Sequence, residues 1–68
     1  MEENKHMICR MLASTLSNTR QFNDLLAIVY NEETEIAECY FFNGGCRKVN
    51  VAADSGAAMI RDILRAIS

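Results

Sequence analysis

Apolar residues return along this chain at two periods. Residues 24–52 carry them in alternation or in short blocks, which suits strands, and on either side they return every three or four residues, which suits helices. Residues 24–30, 35–42 and 46–52 predict three strands, divided by the turn signals Asn31-Glu32-Glu33-Thr34 and Asn43-Gly44-Gly45. Strand one is apolar on both sides, with Leu26 and Ile28 on one and Leu25, Ala27 and Val29 on the other, as in a strand covered on both faces. A four-residue and a three-residue first turn send opposite sides of this strand into the core, and both sides are apolar.

Strands two and three constrain each other more tightly. A three-residue loop at Asn43-Gly44-Gly45 sets Phe42 against Cys46, Phe41 against Arg47, Cys39 against Val49 and Ala37 against Val51. One face then collects Ala37, Cys39, Phe41, Val49 and Val51, and the other Ile36, Glu38, Tyr40, Phe42, Cys46, Lys48 and Asn50. A two-residue loop would mix Cys39 and Phe41 with Lys48 and Asn50, so the hydrophobic pattern selects three residues. Such a loop is a type I turn closed by a left-handed residue, a conformation glycine adopts without strain.

Residues 3–19 predict helix one. Met7, Ile8, Met11, Leu12, Thr15 and Leu16 share a broad apolar face, and His6, Arg10, Ser14 and Ser17 share the polar one. Glu2 and Glu3 sit near its start, where the helix dipole favours negative charge. Ser17-Asn18-Thr19 is a weak helix former and ends it, and Phe22 follows in a short connection, placed to plug one end of the core. Helix two starts at Asp54-Ser55-Gly56, with Asp54 or Ser55 as its cap. Ile60, Ile63, Leu64 and Ile67 form its core stripe, broadened by Ala57 and Met59. Arg61, Asp62 and Arg65 point away, with Asp62 in reach of Arg65. Met7, Met11 and Met59 are expected as core filler.

The expected fold is therefore α+β, a single small domain over residues 1–68 in the order α-β-β-β-α: a three-stranded antiparallel meander with two helices packed on one face. The second sheet face keeps Val29, Ile36, Tyr40, Phe42 and Cys46, edged by Glu38, Lys48 and Asn50. A contiguous apolar patch with a polar rim marks a binding surface, so these five residues are the expected interface.

Composition sharpens this. A chain of 68 residues buries only about 60% of its unfolded surface, and domains of this size often add disulfides, a metal or a partner subunit. The three cysteines fall at irregular spacing, which is no disulfide framework, and neither a signal-peptide core nor a membrane-spanning apolar run is present. A cytoplasmic protein with reduced thiols is expected. His6 and Cys9 lie one turn apart, but Cys39 and Cys46 fall on opposite sheet faces, so four zinc ligands do not converge and neither a metal nor another cofactor is expected. No acid is placed to orient His6 toward a nucleophilic cysteine, and no catalytic residues or enzymatic activity are expected. Glu32, Glu33 and Glu35 read as a solvated charge run at a hairpin tip.

Nine acidic and seven basic residues give a net charge of -2, which is no electrostatic footprint for nucleic acid. Arg47, Lys48, Arg61 and Arg65 are the residues that nucleic-acid binding would use. In its element order the chain resembles the double-stranded-RNA-binding domain, which packs two helices on one face of a three-stranded antiparallel sheet. That family grips phosphates with lysines at the start of its second helix, where this chain has Asp54-Ser55-Gly56-Ala57-Ala58. The resemblance implies a packable layout, and nucleic-acid binding stands as the alternative function. The leading expectation is a non-enzymatic protein–protein interaction or accessory domain, with no membrane partner, homodimeric through the second sheet face or a sheet edge, in the manner of accessory or inhibitor proteins carried by phages and mobile elements.

Overall fold

A computed structural model describes residues 4–68 as α1 (Lys5–Ser17), β1 (Leu25–Asn31), β2 (Ile36–Phe41), β3 (Cys46–Asn50) and α2 (Gly56–Ile67). The fold is α+β in the order α-β-β-β-α, with the strands as an antiparallel meander. Asn4 opens α1 by accepting a hydrogen bond on its side chain from the Met7 N–H at 3.0 Å. Glu2 and Glu3 lie outside the described residues. The polar run closes the helix through its side chains: the Asn18 amide donates to Ser14 O at 2.9 Å and the Thr19 hydroxyl to Leu16 O at 2.6 Å. Ser55, not Asp54, caps α2, accepting from the Ala58 N–H at 3.3 Å.

The first hairpin turn holds four residues, 32–35, between the paired Asn31 and Ile36. The Asn31 side chain accepts from the Glu33 and Thr34 N–H groups, and the Glu35 N–H donates to Asn31 O at 2.7 Å. Glu35 closes the turn at φ 56°, a left-handed conformation uncommon outside glycine, asparagine and aspartate.

Strand β1 departs from simple alternation. A bulge between Leu25 and Ala27 inserts one unpaired residue, so Leu25 opposite Phe41 and Ile28 opposite Cys39 are both buried although they are three apart. The expected pairing of Leu26 with Ile28 on one side is overturned by that extra residue, and Leu26 is 54% exposed.

The second hairpin has a three-residue loop one position earlier than expected, at Phe42-Asn43-Gly44. The Gly44 N–H donates to Phe41 O and the Phe41 N–H to Gly45 O, both at 3.0 Å, and Gly44 takes the left-handed conformation at φ 90°. Either glycine could fill that position; the Asn43 side chain accepts the Gly45 N–H at 2.8 Å and holds the loop in this setting. The register becomes Tyr40–Cys46, Cys39–Arg47, Glu38–Lys48 and Ala37–Val49, which corrects Phe42–Cys46, Phe41–Arg47, Cys39–Val49 and Ala37–Val51. Moving the loop by one residue moves each pair by two, so every side chain keeps its face.

The core gathers Cys9 and Leu16 of α1, the linker residue Phe22, Leu25 and Ile28, Ala37 and Cys39, Val49 with Val51 just beyond β3, and Met59 and Ile63 of α2. Both helices therefore sit on one sheet face. Each buries a narrower stripe than its apolar pattern offers. Met7, Thr15 and Ile60 are exposed, Ala57 too, and Met11 is 61% exposed. A helix on a narrow three-stranded sheet covers only the stripe turned down to it, and Ile8, Met11, Leu12, Thr15 and Ile60 line a valley between the helices above the core. Of the expected core methionines only Met59 is inside.

Candidate functional site

The face of the sheet away from the helices is built of three cross-strand rows: Ala27–Tyr40–Cys46, Val29–Glu38–Lys48 and Asn31–Ile36–Asn50. Paired residues in neighbouring strands point to the same side, so Val29, Ile36, Tyr40 and Cys46 stand together on this surface. Phe42 follows Tyr40 into the hairpin loop and is 69% exposed. Val29, Tyr40 and Cys46 are exposed and Ile36 is half-buried, and among the described residues nothing covers them.

One pair of polar side chains on this face is hydrogen-bonded together. The Tyr40 hydroxyl donates to the Glu38 carboxylate two residues back on the same strand and face. That bond, followed by partial desolvation, pushes the Tyr40 phenol up to about 12, so it stays a neutral donor at physiological pH. Glu38 also lies directly across from Lys48, leaving one acid and one base on the central row.

The three thiols are free and divided between the faces. Cys9 and Cys39 are buried on the helix side, and burial raises both, Cys39 to about 11. Cys46 is exposed on the open face. Because the thiolate is the reactive form, titration of native protein with an aromatic disulfide should find one fast thiol per chain, Cys46, with Cys9 and Cys39 reacting only on unfolding. Two or more fast thiols in the folded protein would contradict this core. Among the described residues no three His, Cys, Asp or Glu side chains gather as a metal site.

His6 is exposed on the polar face of α1, as its position suggests, but contrary to the expectation that no acid is placed beside it, Glu32 meets it. Its Nε2 lies 3.2 Å from Glu32 and its ring meets Tyr30 edge-on at 5.1 Å, with the Lys5 ammonium 5.8 Å from the Tyr30 ring centre. Glu32 thus ties the hairpin tip to the start of α1, while Glu33 and Glu35 are exposed. The Asp62 carboxyl beside Asp54 holds the Asp54 carboxyl above the usual carboxylate range, and Asp54 with the Arg61 guanidinium holds Asp62 below it. These contacts join residues far apart in the chain, and no spacing signal points to them.

The four basic residues do not form one surface. Lys48 lies on the open face, Arg47 pairs with Cys39 on the helix side, and Arg61 and Arg65 stand on α2 beside Gln21 and Phe22. Arg61 takes Asp62 at 3.4 Å, the contact expected for Arg65. A further concavity of about 450 Å³ separates α1 from β1, lined by His6, Arg10, Ser14 and Ser17 on the helix and residues 26–30 on the strand. No described helix is long and apolar enough to cross a membrane. Comparison of the chain with protein-family models, curated proteins and solved structures finds no match.

Proposed function

We propose that this chain is a non-enzymatic protein-interaction domain that pairs with a second copy of itself through the open sheet face. The observation that carries the reading is the gathering of Val29, Ile36, Tyr40 and Cys46 on one uncovered surface, with Phe42 exposed in the adjoining loop, in a domain whose own core is small. Burying a large apolar side chain contributes about 1.5–3 kcal/mol, and a domain this short has few such side chains inside. Charge favours a second copy as the occupant. In a two-fold interface residue i meets j while j meets i, and an axis crossing the row Val29–Glu38–Lys48 between Glu38 and Lys48 sets acid against base on both sides.

The test is the solution mass by light scattering over a dilution series from millimolar to micromolar. The expected result is twice the chain mass at high concentration, falling toward the chain mass on dilution. One chain mass throughout the series refutes self-pairing.

A further inference from the structure

The free edge of β1 and the polar side of α1 face each other across a groove, and its chemistry is not that of the open face. Strand β1 is an outer strand of the sheet, and its seven residues, Leu-Leu-Ala-Ile-Val-Tyr-Asn, include no charge and no proline. The other outer strand, β3, carries Arg47 and Lys48. Proteins commonly guard edge strands with such charges, and β1 has no such guard beyond the bulge at one end.

The ladder identifies the unpaired groups. The Phe41 N–H donates to Gly45 O and the Val51 N–H to Glu35 O, so the odd-numbered residues of β2 turn their backbone polar groups toward β3. Ile36, Glu38 and Tyr40 therefore turn toward β1 and meet Asn31, Val29 and Ala27. That leaves the N–H and C=O of Ile28 and Tyr30 directed outward, into the groove walled by α1. A groove between a helix and a bare strand edge offers an added strand main-chain bonds on one side and side-chain contacts on the other.

The side chains choose the occupant. Glu32, outside the lining, engages His6 beside the Tyr30 end of the groove. Arg10, one helical turn on, is exposed and forms no ion pair among the described residues, and no acidic residue lines the groove. Ser14 and Ser17 continue the wall. We infer that this groove takes an extended segment of another protein, added as a strand to β1, with a carboxylate side chain against Arg10. A second copy suits it poorly. Its β1 has no acid to offer, and antiparallel pairing centred on Ile28 would set Asp24 against Glu32, like charges directly opposite. The inference goes beyond self-pairing through the open face and holds whether or not that pairing forms.

The test follows amide signals of isotope-labelled protein at low salt during titration with acetyl-Thr-Val-Thr-Glu-Val-Thr-Val-amide and with the same peptide carrying Lys in place of Glu. The expected result is a shift and slowed hydrogen exchange at Ile28 and Tyr30, with the acidic peptide bound about threefold more tightly, the size of one exposed ion pair. Arg10→Glu should reverse the order of the two peptides at unchanged circular dichroism. Ser14→Tyr, which fills the groove from a second exposed position, should abolish binding of both. Four outcomes overturn the proposal: no binding, equal affinity for the two peptides, a response confined to Tyr40 and Cys46 on the open face, or Ile28 and Tyr30 amides already protected without peptide and released on dilution, which assigns the edge to a second copy.

Discussion

Ile63→Ala lowers the stability of the folded chain by about 2–5 kcal/mol, the range for truncating a fully buried aliphatic side chain and leaving a cavity. Ile63 is 0% exposed and lies one helical turn after Met59, which is also 0% exposed, so the two form the inner stripe of α2 over the sheet. At about 0.05–0.15 kcal/mol per residue, a 68-residue domain has only about 3–10 kcal/mol in total, so the upper end of the range leaves it largely unfolded. Urea denaturation reads the effect as a lower midpoint at unchanged slope. The informative control is Ile60→Ala. In the sequence Ile60 belongs to the same stripe as Ile63, but it is 37% exposed at the valley between the helices. Its truncation should cost about 1 kcal/mol or less. Equal losses at both positions would mean that α2 is rotated about its axis relative to the packing described above.

The Ile60 and Ile63 contrast also separates what was legible in the sequence from what was not. Period alone establishes that α2 is a helix with an apolar side, and that Ala37, Cys39, Val49 and Val51 share a sheet face. It does not say how much of a broad apolar helix face a narrow sheet will cover, and so Met7, Met11 and Ile60 are exposed. Strand faces tolerate error in multiples of two. The loop at Phe42-Asn43-Gly44 moved every β2–β3 pair by two residues without moving one side chain across the sheet. The bulge at Leu26 is an insertion of one, and it redistributed Leu25, Leu26 and Ile28 between faces. Nothing in Leu25-Leu26-Ala27 announces a bulge, because all three residues suit either side. The open face was legible because its residues alternate within single strands. The β1 groove was not, since it joins a strand edge to a helix face, and backbone edges carry no mark in a sequence.

Tyr40→Glu should leave the isolated fold standing and abolish its self-association. In the single chain Tyr40 lies on the open face at 36% exposure, outside the core, and its hydroxyl is engaged only with Glu38. Replacing the ring with a carboxylate there loses strand propensity and sets two acids on one face, a cost of about 1 kcal/mol. Between two copies the balance differs by several kcal/mol. A two-fold interface would bring in two new carboxylates beside the two of Glu38, with one Lys48 per chain to answer them, and an ionised group buried without its own partner costs several kcal/mol. The dissociation constant should rise by at least about a hundredfold, which light scattering reads as a single chain mass across the dilution series. Tyr40→Phe separates ring from hydroxyl: it keeps the apolar area, frees Glu38, and should remain paired. If Tyr40→Glu stays fully dimeric, the interface lies elsewhere and the open face is not where the copies meet. If it unfolds, the ring is needed by the fold itself, and the open face is not a free surface. The proposed pairing survives only the remaining outcome, a folded chain that no longer finds its copy.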